Sequence, residues 1–112
     1  MNEMFNEYRD LFLEEADEYI TALNDNLIAI EKNHDDAKLI DNIFRVAHTL
    51  KSSCAAVGLK DISALAHKAE DVMHKVRDGQ LPITEHLIDV LFEVLDTIRS
   101  CIETIKAGKD PV

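Results

Sequence analysis

The chain has 112 residues and a mass of 12.7 kDa; it is 46% apolar and 30% charged, with three Gly, two Pro and a net charge of −10. This composition excludes a disordered tail and a collagen-like or mucin-like segment, and so few Gly and Pro exclude an all-β protein built on many tight turns. The acidic balance speaks against a general nucleic-acid binder, and no apolar run approaches the ~18 residues of a membrane span.

The opening MNEMFNEYRD carries acids and no apolar signal core. Cys54 and Cys101 do not make a disulfide scaffold. The expectation is a single helical domain over residues 1–112, cytoplasmic and in a reducing environment.

Four helical periods follow in chain order, expected at about 3–31, 36–57, 60–78 and 84–107. In the first, Phe5, Tyr8, Phe12, Ala16, Tyr19, Leu23, Leu27 and Ile30 step by three or four and form the inward stripe. Asp35 and Asp36 then suit a helix start. In the second, Ile40, Ile43, Ala47, Leu50, Cys54 and Val57 point inward, and Gly58 stands where a left-handed C-terminal residue is expected. The third turns Ile62, Leu65, Ala66, Ala69, Val72, Met73 and Val76 inward, with Asp78-Gly79 as its stop. Thr84 is the expected N-cap of the fourth, which presents Leu87, Leu91, Val94, Ile98, Cys101 and Ile105 and ends near Gly108. The tail KDPV reads as a frayed end or the start of a linker. Four amphipathic helices with short loops predict an all-α, antiparallel up-and-down four-helix bundle, in which both Cys are buried and inert.

Charge is divided along the chain. Residues 1–36 hold 11 acids and 2 bases, residues 37–77 hold 4 acids and 7 bases, and residues 78–112 hold 7 acids and 3 bases. The basic middle third could attract an anion or an acidic partner surface; the plainer alternative is a solvated face without a target.

On the wheel of the second helix His48 lies about 130° from the centre of the apolar arc, with Arg45, Lys51 and Ser52 around it. The run Ser52-Ser53-Cys54-Ala55-Ala56 leaves the surface beside it low and open. On the third helix His67, Glu70 and His74 share one stripe, about 100–150° from the core centre. If the hairpin turns near Gly58-Lys60, His48 lies eleven residues before position 59 and Glu70 eleven after it. The two then face each other. A carboxylate accepting from Nδ1–H fixes the ring tautomer and leaves the Nε2 lone pair free at the surface, as a nucleophile. Lys51 could balance the charge of an anion acquired there. Taken singly, a surface His is most often inert, and Glu70 could instead be solvated or pair with a neighbouring base.

The run Phe44-Arg45-Val46-Ala47-His48-Thr49-Leu50-Lys51 resembles the F-R-x-A-H-[ST]-[IL]-K motif of histidine phosphotransfer (HPt) domains, in particular those at the amino terminus of chemotaxis histidine kinases of the CheA type. Phe12, Glu14, Glu15, Ala16, Glu18 and Leu23 are similar to the opening helix of those kinases, and Leu65-Ala66-His67-Lys68-Ala69-Glu70-Asp71 to the stretch that follows the motif. The resemblance implies that His48 is the phosphoacceptor, that Glu70 orients its ring, and that Lys51 and His67 tune its surroundings. It implies a donor, the Mg-ATP-binding catalytic domain of the same kinase, and an acceptor, an aspartate of a CheY-type or CheB-type response regulator. The domain itself would hold no cofactor or metal, would have no kinase activity alone and would be monomeric. A fifth helix could follow the chain. Family members commonly carry Gly after the lysine; Ser52 and Ser53 stand there here.

Three alternatives stand beside this reading. One is a free-standing phosphotransfer protein, another a helical interaction bundle with His48 unmodified. The third is a metal-binding bundle using His67, Glu70 and His74.

Overall fold

Local chemistry sets several of the helix ends. The computed structural model describes residues 3–108, in four helices: α1 (Glu3–Lys32), α2 (Ala37–Ala56), α3 (Lys60–Arg77) and α4 (Glu85–Lys106). The Asp36 side chain accepts from the backbone N–H groups of Lys38 and Leu39 at 3.0 and 3.1 Å and starts α2. Thr84 Oγ1 accepts from Leu87 N–H at 3.1 Å and starts α4. At the end of α2, Gly58 has φ +81°, Leu59 N–H reaches back to the Cys54 carbonyl and Gly58 N–H to the Ala55 carbonyl. This paired closure is why α2 stops at Ala56 and leaves Val57 as its cap rather than its last residue. Gly79 repeats the motif after α3, with Gln80 N–H on the Lys75 carbonyl and Gly79 N–H on the Val76 carbonyl.

The short loops make consecutive helices antiparallel. α1 packs on α2 and α4, and α3 packs on the same two. The result is the expected up-and-down bundle, 47 Å long and 20 Å across. Its core is almost wholly aliphatic, and each fully buried Ile or Leu contributes about 1.5–3 kcal/mol. Arg9 donates to the Ile105 carbonyl at 2.8 Å, and Lys106 reaches Asp17 at 2.5 Å, so α1 and the last turn of α4 are also tied by charge.

The inward assignments need correction on every helix. On α1, Tyr8 is 62% exposed and Tyr19 only partly buried, while Ile20 is in the core at 5% exposure. A stripe drawn through 12, 16, 19 and 23 follows residue size, whereas the buried face runs through Ala16, Ile20, Leu23 and Leu27. On α4 the buried set includes Ile88, Leu95 and Ile102; Leu87, Val94 and Cys101 are half-buried beside them. The face is rotated by one position because α4 contacts both α1 and α3, and its apolar arc is wide enough for either centre. On α2 and α3, Ile40, Val57, Leu65, Ala69 and Val72 sit at the rim of the core. Cys54 is fully buried, and burial pushes its thiol up to about 12; Cys101 is only half-buried. The Phe5 side chain and residues 109–112 lie outside the described residues.

Candidate functional site

The site lies on the seam between α2 and α3. Small side chains bring these helices close: Ala47 and Cys54 are buried on α2, Ala66 on α3, and Ala69 packs at the edge. His48 projects from the middle of α2 with its side chain 55% exposed. Its Nδ1 hydrogen-bonds to Oε2 of Glu70 across the seam. Oε1 of the same carboxylate accepts from Lys51 Nζ at 2.6 Å. One carboxylate thus bridges an imidazole and an ammonium from successive turns of the facing helix.

Glu70 departs from the wheel. It is 8% exposed, the one buried charged residue among the described residues. An angle measured from the apolar arc of α3 says nothing about a neighbour packed against the flank of that arc, and α2 roofs that flank. Burial works to raise the Glu70 carboxyl, but the hydrogen bonds and charges of Lys51 and His48 outweigh it and hold the group below its ordinary value. With both oxygens engaged, no buried side-chain N or O among the described residues lacks a partner.

The four sequence-predicted residues therefore divide. His48, Lys51 and Glu70 come together. His67 does not join them: its Nε2 lies 3.4 Å from Asp71, one turn on along α3. His74 pairs likewise with Asp78 at 3.2 Å. This disperses the ligand set of the metal-binding alternative, and among the described residues no three His, Cys, Asp or Glu side chains come together to hold a metal ion.

Below His48 the seam carries a second cluster. Asp41 receives Arg45 at 2.8 Å and Arg77 at 3.7 Å. The Arg77 guanidinium lies 4.1 Å over the Phe44 ring, whose other neighbour is His74. These contacts pin α2 to α3 on the side away from the hairpin turn. Ser63, which pattern reading did not single out, pins the seam on the turn side: its hydroxyl donates to the Lys51 carbonyl at 2.9 Å. No sequence signal marks it, because its partner belongs to another helix.

Chemically, the arrangement offers an outward Nε2 on an exposed ring held by its other nitrogen. Such a group suits transfer between proteins, where each partner brings its own reacting phosphorus or carboxylate.

Comparison with known proteins gives the family and the fold. The profile of the Hpt domain family matches residues 7–108. Chemotaxis protein CheA of Listeria monocytogenes is 40% identical over 99 residues, which are 88% of this chain and 16% of that protein, so the chain spans only a small part of its relative's length. Among solved structures, the CheA phosphotransferase domain of Thermotoga maritima superposes with a TM-score of 0.86 at 35% identity, over 94% of this chain and 98% of that one. The phosphorylated P1 domain of CheA3 from R. sphaeroides, solved in complex with CheY6, superposes with a TM-score of 0.83 at 28% identity, over 93% of this chain and 82% of that one. By sequence and by architecture, the chain belongs to the histidine phosphotransfer (Hpt) domain family.

Proposed function

We propose that this chain is the phosphotransfer segment of a CheA-type chemotaxis kinase, working in the cytoplasm, and that His48 is its phosphoryl carrier. The observation that carries the proposal is the outward His48 ring whose Nδ1 is held by the buried Glu70 carboxylate, itself held by Lys51. The R. sphaeroides relative was solved phosphorylated and with CheY6, which supports onward transfer to a regulator of that type. No helix of the described residues is long and apolar enough to cross a membrane, which agrees with a cytoplasmic site of action.

In the forward step the Nε2 lone pair attacks the γ-phosphorus of ATP bound with Mg²⁺ in the catalytic domain of the kinase. The N–P bond forms as the bond from phosphorus to the β,γ-bridging oxygen breaks, and ADP leaves. The ring keeps its Nδ1 proton and becomes positively charged, which the Glu70 carboxylate offsets from the far side. In the onward step a regulator carboxylate attacks the same phosphorus, the N–P bond breaks, and its electron pair returns to Nε2. Glu70 is thus a positioning and charge-balancing residue, and Lys51 acts through Glu70. His67 stands apart from the triad, beside Asp71, and borders the surface that a partner would meet. The domain itself needs no cofactor, since positioning and charge stabilisation carry phosphoryl transfer and the partner holds the Mg-ATP.

The test is intact-protein mass after incubation with Mg-ATP and a CheA-type kinase core, for wild type and His48→Gln. The expected result is one acid-labile phosphoryl adduct on wild type only, discharged by adding a CheY-type regulator. An adduct on both proteins would place the acceptor elsewhere, with His67 the next candidate.

A further inference from the structure

Three helical threonines of this bundle bond within their own helix, and Ser63 does not. Thr49, Thr97 and Thr104 each donate to the carbonyl four residues back in their own helix, at 3.0, 2.9 and 2.9 Å. That is the local default for a hydroxyl inside a helix. Ser63 has the same option in the Leu59 carbonyl, which already takes its backbone N–H at 3.0 Å. Its Oγ turns away and donates instead to the Lys51 carbonyl in α2, twelve residues distant in sequence. Among the described residues it is the only side chain-to-backbone hydrogen bond between α2 and α3.

The receiving residue matters. Lys51 is held at both ends by α3: its carbonyl by Ser63 and its ammonium by Glu70. Glu70 in turn holds His48. These three α3–α2 contacts form one chain along the seam, from Ser63 through the Lys51 main chain and side chain to the Glu70 carboxylate and the imidazole. A helix in a bundle can slide or roll against its neighbour by a fraction of a turn at small cost in apolar contact, because aliphatic packing is non-directional. Hydrogen bonds are directional, and one received by a main-chain carbonyl acts on the helix backbone itself rather than on a movable side-chain end.

We infer that Ser63 is a positioning residue for phosphoryl uptake: it fixes the register of α2 on α3 at Lys51, so that the Lys51–Glu70 pair presents its second oxygen to His48 Nδ1. The inference rests on the carrier role of His48. It assigns Lys51 a place behind Glu70 rather than on the incoming phosphoryl group, since its ammonium is spent on the buried carboxylate.

The experiment uses the domain with phosphoramidate, a donor that needs no partner protein. His48 Nε2 attacks its phosphorus, the P–N bond of the donor breaks, and ammonia leaves. The phosphorylation rate is followed by mass, and the ring ¹⁵N shifts of His48, identified by their absence in His48→Gln, read its tautomer. Ser63→Ala removes the hydroxyl and leaves the Lys51 carbonyl with its ordinary helical partner. The expected result is a rate lowered roughly tenfold, within the ~100-fold that a 1 Å misplacement can cost. The ring shifts should move away from a fixed Nδ1–H tautomer. A merely structural serine would lower the melting temperature and leave the ring shifts in place, and that outcome, with an unchanged rate, overturns the inference. Wild type that takes no phosphoryl group overturns the carrier reading. The ring shifts then decide the register claim alone: unmoved shifts in Ser63→Ala overturn it, and moved shifts sustain it.

Discussion

Glu70 is the residue on which the site turns, because it is ionised where ionisation is expensive. A carboxylate this deeply buried persists only when both oxygens are engaged by donors, and Lys51 and His48 supply them. The consequence for pH follows from the direction of its shift. The folded-state value lies below the ordinary 4.5, so the stabilisation by this carboxylate is complete above that pH and is lost as pH falls through the lower folded value. Glu70→Gln keeps the shape and removes the charge. It should cost about 1.5–3 kcal/mol at neutral pH, the range for hydrogen bonds to a charged group. Denaturant midpoints measured from pH 7 to pH 3 should show the gap between variant and wild type narrowing below pH 4.5. A gap independent of pH would mean that Glu70 stabilises by packing alone.

At the scale of the element, the pairing of α2 with α3 is what converts spacing into chemistry. Small residues permit the close approach, and Ala66 is 1% exposed at the contact. Ala66→Leu should separate the helices and cost about 1–3 kcal/mol by overpacking. It should also take Glu70 out of reach of His48 and suppress phosphorylation by phosphoramidate. Ile105→Val, in the last turn of α4, should cost about 0.5–1.5 kcal/mol and leave that rate unchanged. Equal loss of rate in both variants would show that general stability, not seam geometry, controls uptake. The position of α2 opposite α3 was legible from the turn at Gly58 and the equal count of residues on either side of it. The rotation of α1 and α4 was legible only to within one position. Ile20 and Ile88 are as apolar as their neighbours, and a helix touching two others has a buried arc wider than the pattern resolves.

At the scale of the whole molecule, the basic middle third of the chain proves to be unevenly available. Arg45 and Arg77 lean on Asp41, and Lys51 is committed to Glu70. Lys60, Lys68 and Lys75, all exposed on α3, make no ion pair with a described residue. If the positive face steers an acidic partner, these lysines rather than Lys51 are its source. Lys68→Glu with Lys75→Glu should then slow transfer from phosphorylated His48 to a CheY-type regulator several-fold at low salt and flatten its dependence on ionic strength. The reaction with phosphoramidate should be little changed. Transfer rates equal to wild type at low salt would leave the charge as a solvated face.

The sequence by itself determined the bundle, its helix stops and the outward direction of His48, because apolar period, caps and left-handed glycines act within a few residues along the chain. The family motif pointed in the same direction as the wheel. Only the tertiary structure decided that Glu70 is buried, that Lys51 serves Glu70 first, that His67 turns to Asp71, and that Ser63 reaches across to α2. Each of these depends on what a second helix places against the first, and solvent exposure or a hydrogen bond across a seam belongs to the pair of elements, not to either one.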